Sequence, residues 1–177
     1  MSQLNFYIAL LGGKHAQANV EVHDVVPAIA ANIQDAFPFL QQQWFGLQKG
    51  LHLDSWMHVD GVQYHGVNYQ IRIQDQFELS ATHASEKQLK LFLINLGAYL
   101  PDQFGEVHKY VVVAAYDKAD AKIQGKLAIE QHWFKPHTDA VIDVDDCLAL
   151  DKVGTYSLQL VEGDFAETQF KNDYIVL

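Results

Sequence analysis

Two short acid–imidazole triplets offer chemistry: Glu21-Val22-His23 and Glu106-Val107-His108, set 85 residues apart in a chain of 177. On a strand, residues i and i+2 share a face. Each triplet therefore sets a carboxylate beside an imidazole, which is a general-base arrangement and half of a metal site. If two halves of the chain pack about a twofold axis, Glu21, His23, Glu106 and His108 would meet as a His₂Glu₂ cluster suited to a transition metal. The competing reading, preferred here, is that the pairs fix their hairpins by charge and hydrogen bonding, with no metal or other cofactor expected. The same four residues are the ligand-binding candidates.

His52 and Asp54 form another i, i+2 pair, in which the carboxylate would orient the imidazole for proton transfer or metal binding. In the second half Val141 aligns with His52 and Asp143 with Asp54. A symmetric pair of His52-type sites is thereby excluded, and a single site in the first half remains. The catalytic candidates are His52, Asp54, Glu106 and His108. Asp143-Val144-Asp145-Asp146 resembles acidic Mg²⁺ motifs but lacks the glycine of a calcium loop and has Cys147 where a further ligand belongs. Cys147, the only cysteine, permits no intrachain disulfide. Its acidic neighbours Asp145 and Asp146 are expected to raise the thiol pKa.

Phe6–Leu11 is apolar on both faces and reads as a buried strand closed by a Gly12-Gly13 turn. Val20–Ala31 reads as a second strand, with Pro27 marking an edge or bulge. Asn32 with Asp35 forms a helix cap, and Ile33, Phe37, Leu40 and Trp44 share a helical face that Pro38 divides. Leu51–Val59 and Tyr69–Ile73 complete a β-β-α-β-β unit, with Asp60-Gly61 as a turn.

The order then repeats. Residues 6–36 and 91–121 align without a gap, with nine identities in 31 positions, and Trp133-Phe134 follows at an offset of 89 as the counterpart of Trp44-Phe45. The predicted architecture is α+β: two tandem β-β-α-β-β units, 1–75 and 91–161, related by an approximate internal twofold, with helices on one face of a sheet. Residues 76–90 are a connector and 162–177 a tail. The halves are expected to share one core, because a unit of about 75 residues buries too little surface alone.

Twenty-two acidic against twelve basic residues give a formal charge of −10. Such a surface disfavours nucleic acid and anionic membranes. The first cation is Lys14, and Phe6–Leu11 is too short for a signal core or a membrane span, so the expected location is the cytoplasm.

Leu11-Gly12-Gly13, Glu21-Val22-His23-Asp24-Val25-Val26, Trp44-Phe45-Gly46, Gly50-Leu51-His52-Leu53-Asp54-Ser55-Trp56 and Val59-Asp60-Gly61 resemble the domain of unknown function 1543 family of uncharacterised bacterial proteins. In the second half, Glu106-Val107-His108 and Asp143–Cys147 carry the same resemblance. It extends over most of the chain outside the connector and tail and implies no activity, cofactor or site residue.

Three functions from different classes fit. The preferred one is a non-enzymatic module that binds a small ligand or a protein partner. The second is a small hydrolase or isomerase using Glu–His acid–base chemistry, with or without a metal. The third is a purely structural homo-oligomer. A homodimer is expected, because a sheet with helices on one side leaves its other face to be covered.

Overall fold

The computed structural model describes residues 3–75, 88–99, 103–130 and 142–177. Most of the connector, Trp133-Phe134 and Val141 lie outside the described residues. Among the described residues the fold is mostly β-sheet with two short helices. In chain order come β1 (Asn5–Gly13), β2 (Val22–Ala30), a 3₁₀ turn (Gln34–Ala36), α1 (Phe37–Gln43), β3 (His52–His58), β4 (Gly61–Tyr64) and β5 (Val67–Asp75). They are followed by β6 (Lys90–Tyr99), β7 (Glu106–Ala115), α2 (Lys118–Glu130), β8 (Ile142–Ala149), β9 (Lys152–Val153), β10 (Tyr156–Glu162) and β11 (Gln169–Val176). No helix among the described residues is long and apolar enough to cross a membrane.

Three sheets replace the single expected one. Their strand orders are β11-β3-β1-β2, β7-β6-β8 and β4-β5-β10-β9. The chain changes sheet at Val59–Asp60, so Asp60-Gly61 is a sheet-to-sheet corner rather than a hairpin turn. The hairpin turn lies at His65-Gly66, both at positive φ, and closes β4 onto β5. That primed geometry matches the twist of the flanking strands. In the β4-β5-β10-β9 sheet, β5 of one half pairs antiparallel with β10 of the other, Ile73 opposite Leu158 and Ile71 opposite Leu160. The tail also differs from expectation: its last residues form β11, which pairs with β3.

Alternation along β1 explains the layers. Tyr7, Ala9 and Leu11 face α1 and pack with Ala28, Leu40 and Trp44. Phe6 and Ile8 face the other way and share a central cluster with Leu91, Leu93, Ala114 and Leu158 of the second half. Along β6, Phe92, Ile94 and Leu96 pack with Val113 and Ala121, on the side of α2. Pro27 sits in β2, an edge strand, where its missing N–H breaks no ladder. Pro38 opens α1, preceded by the separate 3₁₀ turn, as its ring requires. Asn32 accepts from the Asp35 N–H at 3.1 Å, and Asp117 accepts from the Ala119 and Asp120 N–H groups at 3.1 and 3.0 Å.

Candidate functional site

Glycine makes the site. Gly12 is the penultimate residue of β1 rather than part of a turn. It stands opposite His23 of β2 on one side and His52 of β3 on the other. Residues directly opposite in a ladder share a face, so both imidazoles project on the side of Gly12. Having no side chain, Gly12 leaves the space between them open. An added Cβ there would lie 2.5 Å from Asp54 Oδ2 and 2.6 Å from His52 Nε2, closer than atoms pack.

Asp54 arrives by a bulge. Leu10 pairs with Ser55 and Leu11 with Leu53, so Asp54 is the extra residue with no partner across the ladder. A bulge re-aims a side chain, and bulges concentrate at sites of this kind. Glu21, two residues before His23, shares its face. His23 Nε2 lies 3.3 Å from Glu21 Oε1 and 3.2 Å from Asp54 Oδ2. His52 Nε2 lies 3.6 Å from Glu21 Oε1 and 3.2 Å from Asp54 Oδ1. The His52 side chain is only 3% exposed, whereas Glu21 and His23 are each 47% exposed. The cluster therefore has a buried floor and an open rim. Tyr174 of β11 covers the His52 ring at 4.4 Å between centroids.

Two details bear on what the cluster does. His52 Nδ1 is 2.8 Å from the Gly50 carbonyl oxygen, which only accepts, so Nδ1 carries the proton and Nε2 is left facing the carboxylates. Asp54 Oδ2 is buried and, despite its closeness to His23, makes no hydrogen bond. A buried oxygen left so costs about 1–3 kcal/mol.

The second half builds a related group. Gly97 stands opposite His108 and Asp143, and Asp145 is the bulged residue between Asp146, paired with Asn95, and Val144, paired with Leu96. Glu106, His108 and Asp145 bring their donor atoms within 4.8 Å of one another, as Glu21, His52 and Asp54 do. This corrects two sequence alignments. The structural counterpart of Asp54 is Asp145, at an offset of 91 rather than 89, and Asp143, not Val141, takes the place of His52. Nor do the triplets join in one His₂Glu₂ cluster: Glu21 and His23 gather His52 and Asp54, while Glu106 and His108 gather Asp145. The pairing of Asp145 with Glu106 and His108, and the two glycines beneath the clusters, were what the spacing did not reveal. A Gly at the same offset as the triplets in both halves was the available signal.

The second group differs in chemistry as well. His108 turns Nδ1 inward, 3.3 Å from Asp145 Oδ2 and 3.2 Å from Asn95 Oδ1. Asp143 is 77% exposed and bound to Lys126 at 3.2 Å. The Val144 N–H and then the Lys126 ammonium hold its carboxyl below the ordinary range.

His23 also lines a cleft of about 490 Å³ between β2 and the β7-β6-β8 sheet, with Asn95, Tyr110 and Asp146 on the opposite wall. Burial, followed by the charges of Asp146, Asp24 and Asp145, pushes the Tyr110 phenol up. The Cys147 thiol beside it is raised, but by burial, and Lys118 and Lys122 oppose the shift. A larger hollow of about 750 Å³ borders Ile8, Met57 and Val112, and none of the four cluster residues lines it.

Known proteins match the chain at two levels. No curated protein matches it. Over 98% of its length it shares the fold of a solved structure, described as a protein Il1583 from Idiomarina loihiensis, with 25% identity, 97% of that chain covered and a TM-score of 0.70. The sequence profile of the Domain of Unknown Function family DUF1543 matches residues 18–72, one segment within the first half. That segment holds Glu21, His23, His52 and Asp54 together, so the family likeness falls on the strands that build the first cluster.

Proposed function

We propose that the chain is a ligand-binding protein whose binding centre is the group formed by Glu21, His23, His52 and Asp54 over Gly12. The observation that carries this reading is the convergence of four polar side chains on one glycine, with a buried carboxylate oxygen of Asp54 left without a hydrogen bond. A purely structural cluster satisfies its buried groups. The half-exposed Glu21 and His23 supply an entrance.

The test is thermal stabilisation of the full chain against a panel of metal salts, organic acids, amines and nucleotides, run beside Gly12→Ala. A ligand at a hundred times its Kd adds about 2.7 kcal/mol. For a chain of this size that raises Tm by about 5–10 °C. The expected result is at least one compound that acts on the parent chain and not on Gly12→Ala. Equal stabilisation of both proteins by every active compound would remove the site.

The same reading includes a tandem duplication about an approximate twofold. The matching strand orders β3-β1-β2 and β8-β6-β7, the bulge in each and the antiparallel β5–β10 seam support it. It also includes a homodimer through the open edge of β11, supported by the exposure of Phe170, Tyr174 and Val176 along that strand. The charge of −10 and the absence of a membrane-crossing helix among the described residues fit a protein that binds neither nucleic acid nor membrane and works in the cytoplasm.

A further inference from the structure

We propose that the first cluster is a mononuclear site for a divalent transition-metal ion, held by His23, His52, Asp54 and Glu21. The inference rests on the cluster being a binding centre and names its ligand. Two imidazole nitrogens and two carboxylates form the donor set of zinc-like ions, whereas Mg²⁺ and Ca²⁺ prefer oxygen alone.

The spacing fits such an ion. One donor atom each from Glu21, His52 and Asp54 lies within 4.8 Å of the others, with His52 Nε2 3.6 Å from Glu21 Oε1 and 3.2 Å from Asp54 Oδ1, and His23 Nε2 stands 3.3 Å from Glu21 Oε1 and 3.2 Å from the other Asp54 oxygen, Oδ2. Tetrahedral ligands bonded at about 2.1 Å lie about 3.4 Å apart, close to the separations of His52 from Glu21 and from Asp54. The proton positions fit as well. His52 gives its Nδ1–H to the Gly50 carbonyl, the outer contact that commonly orients a ligating imidazole. Its Nε2 lone pair then faces oxygens of Glu21 and Asp54 in a site where the ring is 3% exposed. Lone pairs so arranged repel unless a cation or an added proton lies between them. Asp54 Oδ2, buried and without a hydrogen bond, is the partner an ion would satisfy. Gly12 supplies the room, and the exposed flank of Glu21 and His23 supplies the way in.

The second cluster lacks this pattern. The place of His52 is taken by Asp143, which is exposed and paired with Lys126. Its one imidazole, His108, is held by Asn95. Among the described residues the structure therefore assigns one ion.

The experiment is calorimetric titration of Zn²⁺ into the full chain after treatment with a chelator, with Co²⁺ absorption as a second readout. One Zn²⁺ per chain is expected, with no competition from equimolar Mg²⁺. His23→Ala, at an exposed position that should not disturb folding, is expected to weaken binding about a hundredfold or more. Asp54→Asn should act likewise, and circular dichroism checks that both variants fold. His108→Ala should leave stoichiometry and affinity unchanged. Absence of Zn²⁺ binding, or binding undiminished in His23→Ala and Asp54→Asn, would overturn the assignment, as would a second ion lost in His108→Ala. If Zn²⁺ fails while an organic compound stabilises the parent chain and not Gly12→Ala, the metal assignment falls and the binding centre stands.

Discussion

At the scale of single residues the informative groups are those whose neighbours fix their charge. Asp120 is one. Burial pushes its carboxyl up, but the Gln124 amide, the Tyr116 N–H and the Tyr64 hydroxyl, at 3.0, 3.0 and 3.1 Å, more than reverse this. It stays ionised to lower pH in the folded chain than in the unfolded one. Its contribution is therefore full above about pH 4, the ordinary carboxylate range, and is lost as pH falls through the folded value. Asp120→Ala is expected to cost about 1–2 kcal/mol at pH 7, because a helix-start acceptor and the Tyr64 partner both go. Urea unfolding of both proteins at pH 7 and pH 3 checks this. The gap should narrow at pH 3, and an equal gap at both would contradict the assignment. Tyr64 shows the other side of the contact: burial, then the Asp120 hydrogen bond and charge, raise its phenol.

At the scale of elements, the bulges at Asp54 and Asp145 and the edge strand β11 decide most. A regular β3 would leave Asp54 paired across the ladder. The bulge frees it to meet His23 and His52. β11 covers one edge of β3 and lays Tyr174 on His52. It then presents its own edge to solvent, with Phe170 75% exposed. Unprotected edges invite pairing with another chain. Phe170→Glu is expected to change stability by no more than about 1 kcal/mol, since the residue is exposed. It should convert the proposed homodimer to monomer in sedimentation velocity. A parent chain that already sediments as a monomer removes the dimer.

At the scale of the whole molecule, the central cluster ties the halves together. Phe6 and Ile8 of the first half are buried with Leu91, Leu93 and Leu158 of the second. β5 of the first half finds a main ladder partner in β10 of the second. Residues 1–75 alone would expose this surface, and small units bury too little to compensate. That fragment is expected to show no cooperative thermal transition by circular dichroism, and a sharp transition would contradict the shared core. Leu93→Ala in the full chain is expected to cost about 2–5 kcal/mol in urea unfolding, because Leu93 is 5% exposed at the junction.

The sequence alone determined what is local. An unbroken apolar run marked β1, and its repeat marked β6, as strands buried on both faces, and Pro27 marked an edge, whereas Asn32 with Asp35 marked the 3₁₀ turn that precedes α1 and not the start of the helix itself. Each of these depends on contacts within a few residues. It also brought His52 and Asp54, and Glu21 and His23, forward as pairs. Only the tertiary structure decided that the two pairs form one cluster. That depends on the register that sets Gly12 between His23 and His52, and a ladder register is a contact between distant segments. The bulges were hidden for the same reason. One unpaired residue changes no composition or period, yet it moved the counterpart of Asp54 from Asp143 to Asp145. The change of sheet at Val59–Asp60 was read as a turn, because a corner and a hairpin share the same turn residues and differ only in where the next strand finds its partner.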